Sequence, residues 1–542
     1  MELLAKLNWL DLVIIVVYSA GLLSLGFLFK DQKNAEDFFL GGKSFSWFEL
    51  GLSTMATQLS AISFISAAAF VGLKANGGLQ WLTFEFAVPL AMIFLIVVLV
   101  PPLYKAGVFS IYEFLERRFD GTTRTLLSIV FQISRAFATG MMINAVALVL
   151  SAVLNIPVWM TVLLAGLITI IYAYQGGMKA VVWGDAIQMI ILVLGIIVCT
   201  VYAINSLGGW GQLLELAPKE RLNVVDFNMG LGEDQTYGFW PMVLGGFFLY
   251  ISYYGCDQSQ AQRSLSGKNL KQVQGALMLN GLVRFPIVLC YCFMGLAVGT
   301  FALQNPELMD SIAEISKQTL SAEDLASQKI DYDLLMPVFI SEYLPHGIVG
   351  LLIIAILSAA MSSLSSAVNS LSAASVEDII LRRRTVDERQ KLNYSRYLTV
   401  FWGVVCVLLA FLGDEIDSTI IEAINKIGSV FYGPIVATFI LAILTKRVHA
   451  LAANAGLLAG VALNVFIWLS GIPIFWIWWN LIGAVMTLGV AWLVSLLVPR
   501  SVPTEKLIEP ETETFFTWQS ITLTVFFVGM VAFCLVLPAW LG

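Results

Sequence analysis

Charge is scarce in this chain: 12% of its 542 residues are Asp, Glu, Lys or Arg, against about 25% in soluble proteins. Histidine is scarcer still. His346 and His449 are the only two, which argues against a histidine-built metal site or catalytic dyad. The six cysteines (Cys199, Cys256, Cys290, Cys292, Cys406 and Cys534) lie in or beside apolar segments. Their spacing suits neither a metal site nor a disulfide framework, and they read as packing residues. A Gly-rich phosphate loop, a nucleophile elbow and a metal-ligand cluster are all lacking, so an enzymatic reading has little support. No cleavable signal is expected either. Glu2 and a single Lys6 precede the first apolar run, and no small-residue cleavage site follows it.

What is abundant is hydrophobic sequence, 58% of the chain. Many apolar runs reach the ~20 residues that cross a bilayer. The expectation is an all-α, multi-pass membrane protein, with residues 1–542 forming one bundle. Fourteen spans are expected, at about 9–29, 46–72, 80–104, 125–153, 156–174, 181–204, 237–257, 273–303, 346–376, 395–413, 419–445, 449–470, 472–498 and 516–540. Lys and Arg then orient them. With the first loop in the cytoplasm, 21 basic residues fall on that side and 6 on the other. Arg135, Arg284 and Lys426 fall inside spans, while Arg263 is counted in a cytoplasmic loop. This bias places both termini outside an inner (plasma) membrane. The long outer loops, about 205–236 and 304–345, are acidic and are expected to carry short helices.

One span stands apart. Residues 355–375 read AILSAAMSSLSSAVNSLSAAS, apolar yet rich in serine. Ser358, Ser362, Ser365, Ser366, Asn369 and Ser372 share one helical face. Such a stripe serves either close packing of small residues or a row of oxygens for a hard cation or polar solute.

Charges inside spans are costly and commonly functional. Arg135 sits about ten residues into a span, either as a structural ion pair or as a fork for a substrate carboxylate. Asp185 lies near a cytoplasmic end, as an interfacial group or a cation ligand, and Glu85 lies near an outer end. Tyr250, Tyr253 and Tyr254 form an aromatic cluster, at a spacing that more often means packing than a gate. Spans two and seven interrupt their apolar runs with small and polar residues (GLSTMATQLSAIS and GGFFLYISYYG). Broken helices at corresponding places in two halves point to an inverted repeat with a midplane site.

The segment IYAYQGGMKAVVWGDAIQ, 171–188, resembles the signature of the sodium/solute symporter family. AEDFFLGGKSFSWF near 40, GCDQSQAQRSLSGKN near 260 and the SSLSS run extend the resemblance over spans one to eleven. It implies a leucine-transporter-like five-plus-five inverted repeat. The first helix (9–29) is extra, the repeats occupy 46–204 and 237–445, and three C-terminal helices occupy 449–540. By the same resemblance, a principal sodium site takes carbonyls of Ala56, Leu59 and Ala359 with hydroxyls of Ser362 and Ser363. A second sodium site, present in some members, takes Asp185, Ser362, Ser365 and Ser366. The substrate pocket takes Gln58, Ser60, Ser63, Glu85, Arg135, Tyr253 and Asn425. Here Glu85 matches a sugar-binding Glu and Arg135 a carboxylate-binding Arg. Gln58 and Ser63 replace the sugar transporters' residues, and the family lysine of the seventh core helix falls on Val283, one position before Arg284.

The implied function is sodium-coupled symport of a small polar solute, a sugar or sugar acid first, a monocarboxylate, amino acid or other small anion second. A passive channel is the competing class. Na+ is the coupling ion, with no organic cofactor. The expected partners are the solute, sodium and the bilayer, with no nucleic acid. Two sodium ions per cycle are expected from the Asp185 set.

Overall fold

The computed structural model describes residues 7–59, 61–154, 156–232, 235–319, 330–382, 386–411, 420–498 and 516–542. These are almost wholly helical, with no strand beyond one isolated bridge, Phe45 to Gly267. Eleven of the described helices are long and apolar enough to cross a membrane, or twelve if one bent pair counts as a span. Part of the difference from fourteen is a matter of counting: Val158–Ser206 is two helices that meet at a kink at Gly177, where φ is 52° and ψ −147°, and so covers two of the expected spans. Glycine is required there: its φ is left-handed, and a Cβ would approach the Phe38 carbonyl oxygen to 2.6 Å. The seventh expected span is a π turn, Pro241–Gly245, leading into the short helix Gly246–Cys256. The two long loops, about 205–236 and 304–345, carry the expected short helices, among them Trp210–Leu216 and Pro306–Thr319.

Two breaks organise the centre. Helix Trp47–Gln58 stops at Leu59 (φ −82°, ψ 80°), and a second helix, Ala61–Gly72, follows. Helix Gly246–Cys256 stops at Asp257 (φ −91°, ψ 121°), and Gln258–Leu265 follows. The Asp257 side chain caps the new helix by accepting from the Ser259 N–H. A helix end leaves its last carbonyls without intrahelical donors. In a bilayer such groups are tolerated only against protein or a cavity, and both breaks face the buried centre.

The second half of the first broken helix is held by backbone contact. Gly72 packs on Gly295 and Gly299 of the Leu270–Gln304 helix, and a Cβ on Gly299 would lie 2.3 Å from the Gly72 Cα. This small-xxx-small seam fixes Leu270–Gln304, and with it Arg284, against the broken helix. Helix Ile348–Ala374 is the most deeply set: all but two of its residues are buried.

Candidate functional site

A central cavity of about 150 Å³ opens between the two breaks. Gln58 and Ser63 line it from the first broken helix, Glu85 from the turn Leu79–Glu85, and Arg135 from Gly121–Leu154. Tyr253, Arg284, Ser363, Asn425 and Asp257 add to the polar wall, while Trp81, Phe84, Phe131 and Met142 supply apolar surface. Every described residue expected in the substrate pocket therefore meets at one cavity; Ser60 lies outside the described residues.

Two ion pairs sit in its wall. Glu85 is 1% exposed, so its place is in the protein core. Arg284 grips both its carboxylate oxygens, through Nε to Oε2 and through Nη2 to Oε1 at 2.9 Å. The fork is charge-assisted and bidentate, the strongest form of such a contact. Arg284 Nη1 is buried without a hydrogen-bond partner among the described residues. The second pair joins Arg135 Nη2 to Asp257 Oδ1 at 3.3 Å and to the Ser259 hydroxyl. Arg135 also lies 5.8 Å from the Tyr253 ring centroid, and its Nε is likewise buried and unpartnered. Both alternatives for Arg135 thus have support: it forms an ion pair, and one N–H remains unused. The family register puts Val283, not Arg284, at the lysine position, so the resemblance leaves Arg284 out of the pocket set. The signal that finds it is simpler, an arginine deep inside an apolar span.

Tyr253 bridges the two breaks: its hydroxyl lies 3.5 Å from the Thr57 carbonyl and accepts from Gln260 Nε2 at 3.2 Å. Tyr254 donates to Gln58 Oε1. The tyrosine cluster is therefore more than packing.

Beside the cavity lie the residues expected to hold sodium. Ala56 belongs to the last turn of Trp47–Gln58, and Leu59 is the break itself. Ser363 faces the cavity, with its hydroxyl 3.3 Å from the Ala359 carbonyl. These carbonyl and hydroxyl oxygens are the ligand type a hard cation takes. Ser362, expected in both sodium sets, points its hydroxyl to Asp185 Oδ1.

The surroundings of Asp185 differ from expectation. It is 0% exposed, enclosed by the protein. Oδ2 accepts from Arg263 Nη2 at 2.6 Å and from the Ser53 hydroxyl at 2.5 Å. The same Nη2 lies 2.6 Å from Ser366 Oγ, and Arg263 Nε donates to Ser53 Oγ at 2.7 Å. Arg263 is 2% exposed. Its assignment to a cytoplasmic loop is therefore corrected: the short helix after the Asp257 break carries it inward. Ser365, expected as a ligand, donates to the Ser362 carbonyl at 2.9 Å. The rest of the serine stripe is used for packing, with Asn369 Oδ1 accepting from Gln262 at 2.7 Å and Ser372 donating to the Ser395 carbonyl at 2.7 Å.

The sequence and fold match known proteins. The human sodium/iodide cotransporter is 31% identical over 442 residues, which is 80% of this chain and 65% of that protein. Human sodium-coupled monocarboxylate transporter 1 is 30% identical over 441 residues, covering 80% of this chain and 68% of that protein. The chain thus spans about two thirds of the length of these relatives. A sodium-coupled sialic acid symporter, solved substrate-bound and outward-open, superposes with a TM-score of 0.78 over 90% of this chain and 98% of that one, at 24% identity. The all-α, leucine-transporter-like fold class is borne out by that likeness. The model of the sodium:solute symporter family matches residues 38–460, and the chain belongs to that family, one of sodium-coupled transporters and not of enzymes.

Proposed function

We propose that this protein is a sodium-coupled symporter of a small organic anion, with a short monocarboxylate as its type of solute. The observation that carries the choice of solute is the Glu85–Arg284 fork. Both Glu85 oxygens are engaged by Arg284, and the Tyr250 hydroxyl lies 3.5 Å from Oε1, so only part of the carboxylate's four acceptor positions remains for sugar hydroxyls. Arg284 Nη1 and Arg135 Nε, on residues lining the cavity, make no hydrogen bond of normal geometry, and the interactions of these arginines with the Tyr254 and Tyr253 hydroxyls leave both able to take a carboxylate oxygen. An unsatisfied buried donor costs about 1–3 kcal/mol, which a carboxylate oxygen would recover. Trp81, Phe84, Phe131 and Met142 suit a short apolar tail. Sugar, the solute first expected, fits this wall less well. The relatives named for iodide and for monocarboxylates are named for small anions.

The two ion pairs cancel, so the cavity wall offers an anion no net charge. A sodium ion held by the principal set, Ala56, Leu59, Ala359, Ser362 and Ser363, would supply it beside the cavity, since Ser363 of that set lines the cavity. Each ion then favours binding of the other, which is the thermodynamic content of coupling. The breaks at Leu59 and Asp257, each in the first helix of a proposed repeat (46–204 and 237–445), support that division. The basic-residue bias supports insertion in the plasma (inner) membrane with both termini outside.

A ligand that binds the folded state raises its melting temperature. Purified protein should be stabilised by propionate or pyruvate in sodium buffer and not in potassium buffer, with glucose and galactose inert. Stabilisation by the sugars alone would reverse the choice of solute.

A further inference from the structure

Two cations have a claim on the oxygens around Asp185, and only one of them belongs to the chain. We propose that Arg263 is the resident cation of the position between Asp185 and Ser366, and that sodium coupling in this protein therefore uses one ion. The proposal rests on the sodium-coupled reading above and revises the expectation of two.

A sodium ion at this place would be shared by Asp185, Ser362, Ser365 and Ser366. The Arg263 guanidinium already spans the middle of that set, with Nη2 2.6 Å from both Asp185 Oδ2 and Ser366 Oγ. The other carboxylate oxygen accepts from Ser362. The serine oxygens keep lone pairs, so the hydroxyls alone do not exclude sodium. The charge does. A sodium ion on these ligands would lie beside a guanidinium that uses the same carboxylate, and like charges repel strongly where water is absent.

Nor has the guanidinium been left room to step aside. Its Nε is held by Ser53 Oγ at 2.7 Å and its Nη1 by the Ser259 carbonyl. It is 2% exposed, so a sodium ion that took Asp185 would leave a buried arginine without its counter-charge. Arg and Asp on separate helices thus neutralise each other with no external ion. The pair is also tied to the cavity: Ser259 gives its carbonyl to Arg263 while its hydroxyl meets Arg135 and Asp257. Arg263 accordingly acts as a positioning residue that joins the serine helix to the solute wall.

The test counts ions directly and needs no solute. Binding of radioactive sodium to purified protein, measured at saturation in choline buffer, should reach one ion per chain in the wild type. Arg263→Gln keeps an amide for Ser53 and Ser259 but removes the charge, and should bind two. Adding Asp185→Asn to that variant should return the count to one. Arg263→Lys, which keeps a cation, should stay at one and serves if Arg263→Gln does not fold. Two ions in the wild type overturn this proposal alone, as does a folded Arg263→Gln chain that binds one. No sodium on the wild type overturns both this proposal and the sodium-coupled reading.

Discussion

The Asp185 centre and the solute cavity each bury an aspartate or glutamate against an arginine, yet they are finished differently. At Asp185 every exposed corner of the pair is closed: two serines and the arginine take the carboxylate, and two serines and a carbonyl take the arginine. At the cavity the pairs are left incomplete, with a buried N–H on Arg284 and another on Arg135. A closed pair holds helices together and has nothing to offer a solute. An incomplete one carries unmet hydrogen-bonding capacity, and unmet capacity inside a cavity is what recognises a ligand.

If that contrast is right, breaking the closed pair harms the fold most. Asp185→Ala strands the Arg263 charge at 2% exposure and should lower stability by about 3–5 kcal/mol, read as a large loss of melting temperature and of monodisperse protein in detergent. A variant as stable as wild type would show that water or an ion reaches Arg263.

The incomplete pair should respond in binding more than in folding. Arg284→Lys keeps the charge beside Glu85 but loses the planar fork. The midpoint of carboxylate-induced stabilisation should rise about 10–100-fold, as expected for one charge-assisted hydrogen bond of roughly 1.5–3 kcal/mol. An unchanged midpoint would move the carboxylate away from Arg284.

Ser363→Ala removes one hydroxyl from the sodium set without touching either ion pair. The sodium concentration for half-maximal stabilisation should rise several-fold, on the order of 1 kcal/mol, with the sodium-free melting temperature preserved. Equal sodium dependence in both proteins would remove Ser363 from the site.

Arg135→Lys should have the smallest effect. Arg135 meets Asp257 through a single 3.3 Å contact with 16% of its side chain exposed, and a lysine can keep much of that. A loss of about 1 kcal/mol in carboxylate binding is expected, the low end for one buried donor. A loss larger than that of Arg284→Lys would transfer the principal carboxylate contact to Arg135.

Properties carried by short stretches of chain were legible in the sequence. Hydropathy marks membrane helices because each must satisfy its own backbone in lipid, and the serine stripe is a matter of helical spacing. The breaks announced themselves through small and polar residues in otherwise apolar runs, and the signature around Asp185 placed the chain in its family. The sequence also named six residues of the cavity wall, Gln58, Ser63, Glu85, Arg135, Tyr253 and Asn425, because those positions follow family motifs. Pairings were not legible. Arg284 and Glu85 are 199 residues apart, and Arg263 and Asp185 are 78 apart. A charge pattern cannot say which carboxylate an arginine meets until helices pack. Arg263 read as a loop cation because Lys268 and Lys271 follow it closely, and only the turn at Asp257 carries it into the core. Composition, spans and family follow from local hydrophobicity and spacing. Which charges cancel, and which donors stay open to a solute, was decided by tertiary packing, because an ion pair in a low-dielectric interior is a property of two helices and of neither alone.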